Sequence, residues 1–494
     1  MTGGTMPGGS TGRPPSRIRP DKRARGSRHA GWFAPAALAA LLAPAVLAAA
    51  GCISLAPTYE RPPAPVAATL PGGSGAVRAA DLPWREFVRE PRLRQIIDQA
   101  LAGSRDLRRA MLQIEAARAQ YRIQRAQALP SIDAVAQVTS ARAIAGPDNA
   151  TATSTTYSAQ LGLASWEIDV FGRLNSLSDA KLAAYFSTVE AARATRITLI
   201  AETASAYLTL AADKSRLAIA RDTMTTAKRA MDLTEQLVGG GTSNRSDFWQ
   251  AATVYQQARA DLALLSAAVV QDRDALELLA GGPVADALLP DALPDALDWF
   301  ADVPVGLSSA VLLDRPDVLA AEHDLQAANA NIGAARAQLF PRLALTASGG
   351  LASTALVALF TGPAAVFTLA PSLALPLFDG GANRANVDFT IAQKQVLVAS
   401  YELAIQRAFR EVADALATRA TIEEQLASQA DLLEASTKSV ELAQARFKAG
   451  AESFLTTLVS ERTLYAAKSS LVATQLAALG NRVTLYRVLG GGLK

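Results

Sequence analysis

The chain has 494 residues, enough for two or three ordinary domains, and a formal net charge of only +3. Much of that excess is Arg13, Arg17, Arg19, Lys22, Arg23, Arg25 and Arg28, so the remainder is near neutral and carries no basic footprint for nucleic acid. Two histidines and one cysteine leave almost no soft metal ligands, a poor composition for a metalloenzyme.

The basic start is followed by an apolar stretch, 31–50, broken by Pro35 and Pro44. Pro-interrupted alanine runs make weak membrane spans, so 1–51 is predicted to be a secretory signal peptide. It closes on Leu47-Ala-Ala-Ala-Gly51-Cys52, and small residues directly before a cysteine resemble a bacterial lipobox. The leucine stands five residues before the cysteine rather than three, and a free cysteine in a small-residue-rich leader is the alternative. Because Cys52 is the only cysteine and ends the apolar stretch, acylation at Cys52 is the expectation. Ile53 and Ser54 follow without an aspartate, which resembles lipoproteins sorted to an outer membrane. The segment 52–90 is then a lipid-anchored, extended piece, Pro- and Gly-rich over 57–83, with no packed core of its own.

A first structural unit is predicted over 91–282. One helix runs from Pro91 to Leu129, its apolar Leu107, Met111, Ile114 and Tyr121 stepping by three and four. Two strands follow, 131–140 and 157–166, each alternating with period two. Ile132, Ala134, Ala136 and Val138 oppose Asp133, Gln137 and Thr139; Tyr157, Ala159, Leu161 and Leu163 oppose Ser158, Gln160 and Gly162. Tilted strands of this length cross a bilayer. The polar stretch 141–156 between them reads as a loop. Next comes a proline-free run, 173–282, rich in Ala, Leu, Arg, Gln and Glu and interrupted once at 238–247. It predicts a helix of about 65 residues, roughly 100 Å long, and a shorter helix folding back. Ile197, Ile200, Ala204, Tyr207, Ala211, and after a register shift Ala227, Met231, Thr234 and Val238, supply packing seams.

The same order then recurs. Residues 106–130 align without a gap on 317–341, and Glu202, Gly241 and Gly281-Gly282 meet Glu411, Gly450 and Gly490-Gly491 at one common offset. An internal duplication follows. The second unit, 310–494, holds a helix over 314–340, strands 342–350 and 367–377, and a long hairpin 381–489, interrupted at 448–456. An acidic, Pro-rich linker, 283–309, joins the two. Four strands cannot close a barrel, since small membrane barrels need about eight, and lipid does not tolerate open strand edges. Transmembrane strands therefore require oligomerisation.

Leu313-Asp-Arg-Pro-Asp-Val-Leu-Ala-Ala-Glu322, running on to Ala334-Ala-Arg-Ala-Gln-Leu-Phe-Pro341, resembles the signature of TolC-like outer-membrane efflux proteins. Ser165-Trp-Glu-Ile-Asp-Val-Phe-Gly-Arg173 and Pro376-Leu-Phe-Asp-Gly-Gly381 are similar to the family's two strand-to-helix junctions. Tyr486-Arg-Val-Leu-Gly-Gly-Gly492 and the start at Cys52 resemble its lipoprotein branch, the NodT/OprM-like factors of RND pumps, although Leu493 stands where a Trp often closes the motif. The resemblance implies an α+β membrane protein: a homotrimer with a twelve-stranded barrel in the outer membrane and a periplasmic α-barrel of twelve helices. Its implied partners are a periplasmic adaptor, an inner-membrane RND transporter and outer-membrane lipid.

By the same resemblance the two breaks are periplasmic tips that meet the adaptor and close the duct. Gly239, Gly240, Gly241 and Thr242 form the first docking tip, and Gly450 and Ala451 the second. Glycine suits such turns, and Ser246 or Asp247 suits the N-cap of the returning helix. Asp247 is equally a candidate for a ring of acids at the aperture. Leu455 matches a leucine that narrows the entrance in related ducts, but Val459 stands where an aspartate is often found. The gate candidates are thus Asp247, Lys448, Glu452 and Leu455, with Lys448 placed to pair with one of the two acids.

No nucleophile–base set is visible, His323 reads as an ordinary helical histidine, and the glycine runs lack the Lys and Ser/Thr of a phosphate loop. Neither enzymatic activity nor any cofactor beyond the lipid on Cys52 is expected. The reading is an efflux exit duct for small molecules. Its alternatives are a type I secretion duct and, in another class, a surface-anchored helical stalk or adhesin.

Overall fold

The computed structural model describes residues 53–70, 82–144, 151–303, 308–361 and 363–491. The predicted signal peptide and Cys52 lie outside the described residues. The first half comprises α1 (Pro91–Gly103), α2 (Arg105–Ala126), β1 (Ile132–Ile144), β2 (Thr151–Ile168), α3 (Arg173–Gly239) and α4 (Arg245–Ala280). The second comprises α5 (Pro316–Ala337), β3 (Arg342–Ser353), β4 (Ala365–Ala374), α6 (Ala382–Lys448) and α7 (Phe454–Val488). Helices α2 and α5 both have 22 residues, α3 and α6 both have 67, and α4 and α7 have 36 and 35. The helices of the two halves thus match almost residue for residue, whereas β2 has 18 residues and β4 has 10.

Alanine-rich, proline-free sequence lets α3 and α6 run uninterrupted, each roughly 100 Å long at 1.5 Å per residue. Helices of this length draw stability from packing, and the buried positions of α3 follow the predicted seams. Ile197, Ile200, Ala204, Tyr207, Ala211, Ala227 and Thr234 are buried, whereas Met231 and Val238 are half-buried. The main core gathers near the midpoint of the rods. There Tyr207 of α3, Tyr401 of α6 and Tyr486 of α7 are fully buried beside Leu93, Ile96 and Ile97 of α1. Phe87 stacks on Tyr486 with ring centroids 4.0 Å apart and on Phe300 at 5.1 Å. Trp84–Phe87 and the acidic linker are therefore core material rather than loose connections: Val284, Leu289, Trp299, Phe300 and Val303 are all buried.

Two expectations are corrected. The helix foreseen over 91–129 is two helices, divided at Ser104, whose hydroxyl caps α2 by accepting from Leu107 N–H at 3.4 Å. The break is set by a crossing: a Cβ on Gly103 would lie 2.6 Å from the Ala280 carbonyl, and one on Gly281 2.2 Å from that of Gly103. Second, β1 and β2 extend well into the presumed loop, to Ile144 and from Thr151. That stretch carries no large apolar face, since alanine, serine and threonine dominate it, yet its β-branched threonines favour extended backbone and pair across the strands. Arg142 donates to Thr151 Oγ1 at 2.9 and 3.1 Å, and Thr155 Oγ1 donates to Ser140 at 3.2 Å. The segment after Ile53 is extended, as expected, and it runs antiparallel along α5. Arg336 donates to the Leu55 carbonyl, Asn329 to that of Pro57, and Arg61 grips the buried Glu322 with two bonds of 2.6 and 2.8 Å. Gly333 permits this crossing, since a Cβ there would come within 2.7 Å of Ala56 N.

The four strands form one antiparallel sheet in the order β1-β2-β3-β4, leaving β1 and β4 as free edges. Pro371 in β4 is compatible with an edge strand, where a missing N–H costs little. Among the described residues, no helix is long and apolar enough to cross a membrane.

Candidate functional site

The sheet sorts its side chains by chemistry. The registers Ala134↔Leu161, Leu161↔Gly349 and Gly349↔Phe367 place these residues on one face, together with Ile132, Val138, Leu163, Leu351, Leu369 and Leu373. The opposite face carries Asp133, Gln137, Gln160, Ser158, Ser348, Thr368 and Ser372. Phe367, Leu369 and Leu373 are 87%, 65% and 69% exposed, so the apolar face is uncovered by the chain itself. A β-bulge between Leu163 and Trp166, with Ser165 at φ 46°, shifts the phase by one residue. It keeps Trp166 and Ile168 on the apolar face, and the Trp166 indole donates to the Ala128 carbonyl at 3.1 Å.

At each strand-to-helix junction an aspartate caps the long helix and a left-handed glycine starts it. Asp169 accepts from the N–H groups of Arg173 (2.7 Å) and Asn175 (2.8 Å), with Gly172 at φ 70°. Asp379 accepts from Gly381 and Asn383, both at 2.9 Å, with Gly381 at φ 90°. Glu167 adds a clamp, accepting from Arg173 of α3 and Arg342 of β3. The two junction motifs are therefore devices that join a membrane strand rigidly to a rod.

The two tips share one backbone solution. Gly241 N–H donates to the Val238 carbonyl and Thr242 N–H to that of Leu237; Gly450 and Ala451 repeat this onto Phe447 and Arg446. Both are Schellman turns, with Gly241 at φ 71° and Gly450 at φ 70°. A Cβ at either position would meet nothing within 4 Å, so backbone conformation rather than space selects glycine. Gly239 and Gly240 close the end of α3.

The cap of α4 differs from the expected one. Asn244, not Ser246 or Asp247, is the N-cap, its Oδ1 accepting from Asp247 N–H at 2.9 Å. Asp247 sits in the first turn, and its carboxylate accepts from the Ser243 hydroxyl at 2.7 Å, a reciprocal arrangement like a capping box. Glu452 pairs with Arg446 at 3.2 Å rather than with Lys448, which sits in the last turn of α6 where its charge suits the helix dipole. Leu455 and Val459 lie one turn apart on the exposed stripe of α7, 42% and 52% exposed, while Phe454, Thr457 and Leu458 turn inward.

Sequence reading missed what holds the hairpins together. Phe454 and Leu458 of α7 form a small core with Ala230 of α3 and Ala251 of α4, with Phe447 against Phe454 at 5.0 Å. Farther from the tips, Tyr465 of α7 donates to Asp261 of α4 at 3.0 Å. A signal existed in Phe447 and Phe454 flanking the second break, but nothing in the sequence names their partners. His323 shares a hydrogen bond of 3.0 Å with Gln326, as an ordinary helical histidine does.

A sheet with one bare apolar face, fused through capped junctions to two rod-like hairpins, defines the wall of an outer-membrane channel. The chain belongs to the outer membrane efflux protein family, whose model matches residues 96–282 and 307–491. It is 41% identical over 452 residues to the antibiotic efflux pump outer membrane protein ArpC of Pseudomonas putida, covering 90% of this chain and 93% of that protein. The toluene efflux pump outer membrane protein TtgC, also of Pseudomonas putida, matches with the same identity and coverage. Among solved structures, the open state of the Neisseria gonorrhoeae MtrE outer membrane channel superposes with a TM-score of 0.78 at 37% identity, covering 89% of this chain and 99% of that one. The fold is thus that of TolC-like channels, and the protein is an outer-membrane efflux component with a large periplasmic portion.

Proposed function

We propose that the protein is the exit duct of a tripartite RND-type pump, passing small molecules such as drugs or solvents across the outer membrane. Three copies join their four-stranded sheets edge to edge into a twelve-stranded barrel, and their hairpins form one periplasmic tunnel of twelve helices. The carrying observation is the single sheet with an exposed apolar face and two unpaired edges: water disfavours the bare apolar face, which lipid accepts, and lipid in turn forbids the open edges of an isolated chain. The antibiotic and toluene pumps named for the relatives support the substrate class. An inner-membrane transporter supplies the energy, an adaptor bridges to it, and the duct itself carries out no chemistry.

Light scattering on the purified full chain, followed by single-channel recording, tests this reading. It expects trimers and a conductive pore; monomers without conductance would indicate a stalk instead. The same preparation reports on the lipid. Ile53 lies against Gly172 at the base of the sheet, where a Cβ would come within 2.8 Å of the Ile53 carbonyl. Intact mass should show acyl chains that a Cys52→Ala variant lacks.

Gly239–Thr242 and Gly450–Ala451 are the adaptor-docking tips in this proposal, and Leu455 with its neighbours narrows the entrance. Replacing Gly241 and Gly450 together by Trp should abolish drug resistance conferred by the pump while trimers still assemble. Unchanged resistance would refute docking at the tips.

A further inference from the structure

Beyond the core they share at the midpoint of the rods, the hairpins meet again toward the tips, at the Phe454–Leu458 core and, farther up, at the Tyr465–Asp261 hydrogen bond. Between these contacts the facing side chains of α3 and α4 are small, among them Thr226, Ala227, Thr253 and Ala258. Small residues on the α3 and α4 side leave the space facing α7 unfilled, and a cavity of about 550 Å³ remains. That is the size of a pocket for a drug-like molecule, and its exposed wall is mainly apolar although Asp222, Gln257, Gln444, Glu461, Arg462 and Lys468 also line it.

One of those groups is short of partners. Glu461 of α7 accepts a single hydrogen bond, from Gln444 Nε2 at 3.2 Å, and forms no ion pair among the described residues. Arg462 and Lys468 also line the cavity, but neither pairs with that carboxylate, and burial pushes its titration upward. A half-buried carboxylate facing an apolar recess is stabilised most by a cation that brings apolar surface with it. Glu461 would repel an anion at its own position, although Arg462 and Lys468 also line the cavity, and a neutral molecule would leave the acid as it is.

We propose that the chamber between the hairpins binds an amphipathic monocation, its amine on Glu461 and its apolar body against Ala227, Val254, Ala258 and Leu464. A ligand there touches both hairpins, so it is placed to hold their spacing. The site is separate from the adaptor tips and from the barrel, and its occupancy does not depend on the duct reading.

Isothermal titration of the detergent-purified full chain with tetracaine, an aromatic tertiary amine, tests the site, with 4-butylbenzoate as the anionic control. The expected result is saturable binding of one tetracaine per chain and none of the benzoate. Glu461→Gln should weaken tetracaine binding at least tenfold, and Ala258→Phe should abolish it by filling the space while leaving Glu461 in place. The two variants act by different routes, and size-exclusion profiles matching the wild type show which of them are folded. Absent or unsaturable wild-type binding, equal binding of the benzoate, or a folded variant that binds as the wild type does would each overturn the proposal.

Discussion

Arg315 joins three separated parts of the chain through one guanidinium. Only 7% exposed, it donates to Asp317 at 2.7 Å, to Glu411 of α6 at 3.0 Å and to the Val488 carbonyl at the end of α7 at 2.8 Å. The two acids are partly exposed, but the carbonyl and the guanidinium are not, so deleting the charge strands a buried acceptor. Arg315→Met should cost about 3 kcal/mol and lower the unfolding temperature by several degrees, followed by circular dichroism. Arg315→Lys should recover only part of the loss, because an ammonium cannot reach three acceptors with a planar fork. Equal stability of the Met variant and the wild type would remove Arg315 from the structural account. The Arg-Pro-Asp motif that marks the family is thus a fastener between α5, α6 and α7.

Among elements, β4 and the α3–α4 pair carry the sharpest expectations. Leu369 and Thr368 are neighbours on β4 and point to opposite faces. An arginine on the lipid face of a barrel costs about 2–4 kcal/mol at mid-membrane, whereas one on the other face is tolerated. Leu369→Arg should therefore deplete assembled protein in outer-membrane fractions, and Thr368→Arg should not; the reverse order would invert the assigned faces. Between α3 and α4, burial raises the Asp272 carboxyl to about 6, and the nearby Asp213 carboxyl adds to the shift. Asp213 already pairs with Arg216 at 2.8 Å, so Asp272 gains little from that cation. A folded-state value above the unfolded one means that this contribution is present in full below about pH 4 and is lost as pH rises through about 6. Asp272→Asn should accordingly raise the unfolding temperature at pH 7.5 and change it little at pH 4. A shift of equal size at both values would exclude the acid pair as its cause.

At the scale of the whole molecule, each half places one pair of strands and one hairpin, and duplication makes the two pairs contiguous. The result is a single sheet above a core at the midpoint of the rods, with both tips at the far end. The extended segment from Ile53 tracks α5, held by Glu322 and crossing at Gly333, and it brings the start of the described chain to Gly172 beside the sheet. Sheet, core and tips are thus arranged along one axis, which is the order a duct needs. The same geometry leaves the apolar strand face and two edges bare; in the proposed trimer further copies pair the edges and lipid covers the face.

Much of this was legible in the sequence because it is local or periodic. Period-two alternation gave the strands their apolar face, the absence of proline gave the rods, and the common offset of Gly241 and Gly450 gave two matching Schellman turns. Glycine is readable there because left-handed backbone excludes other residues whatever surrounds it. Features that depend on distant partners were not readable. The division at Ser104 comes from Gly103 meeting Gly281, and the burial of the Pro-rich linker comes from Phe300 meeting Phe87. Asn244 rather than Asp247 caps α4 because the helix already begins at Arg245. The sequence by itself determined the duplicated strand–rod–turn order, which short-range stereochemistry enforces. Only the tertiary structure decided which acid meets which base, where Glu461 is left half-partnered, and how the hairpins enclose a chamber, because those depend on side chains brought together across the fold.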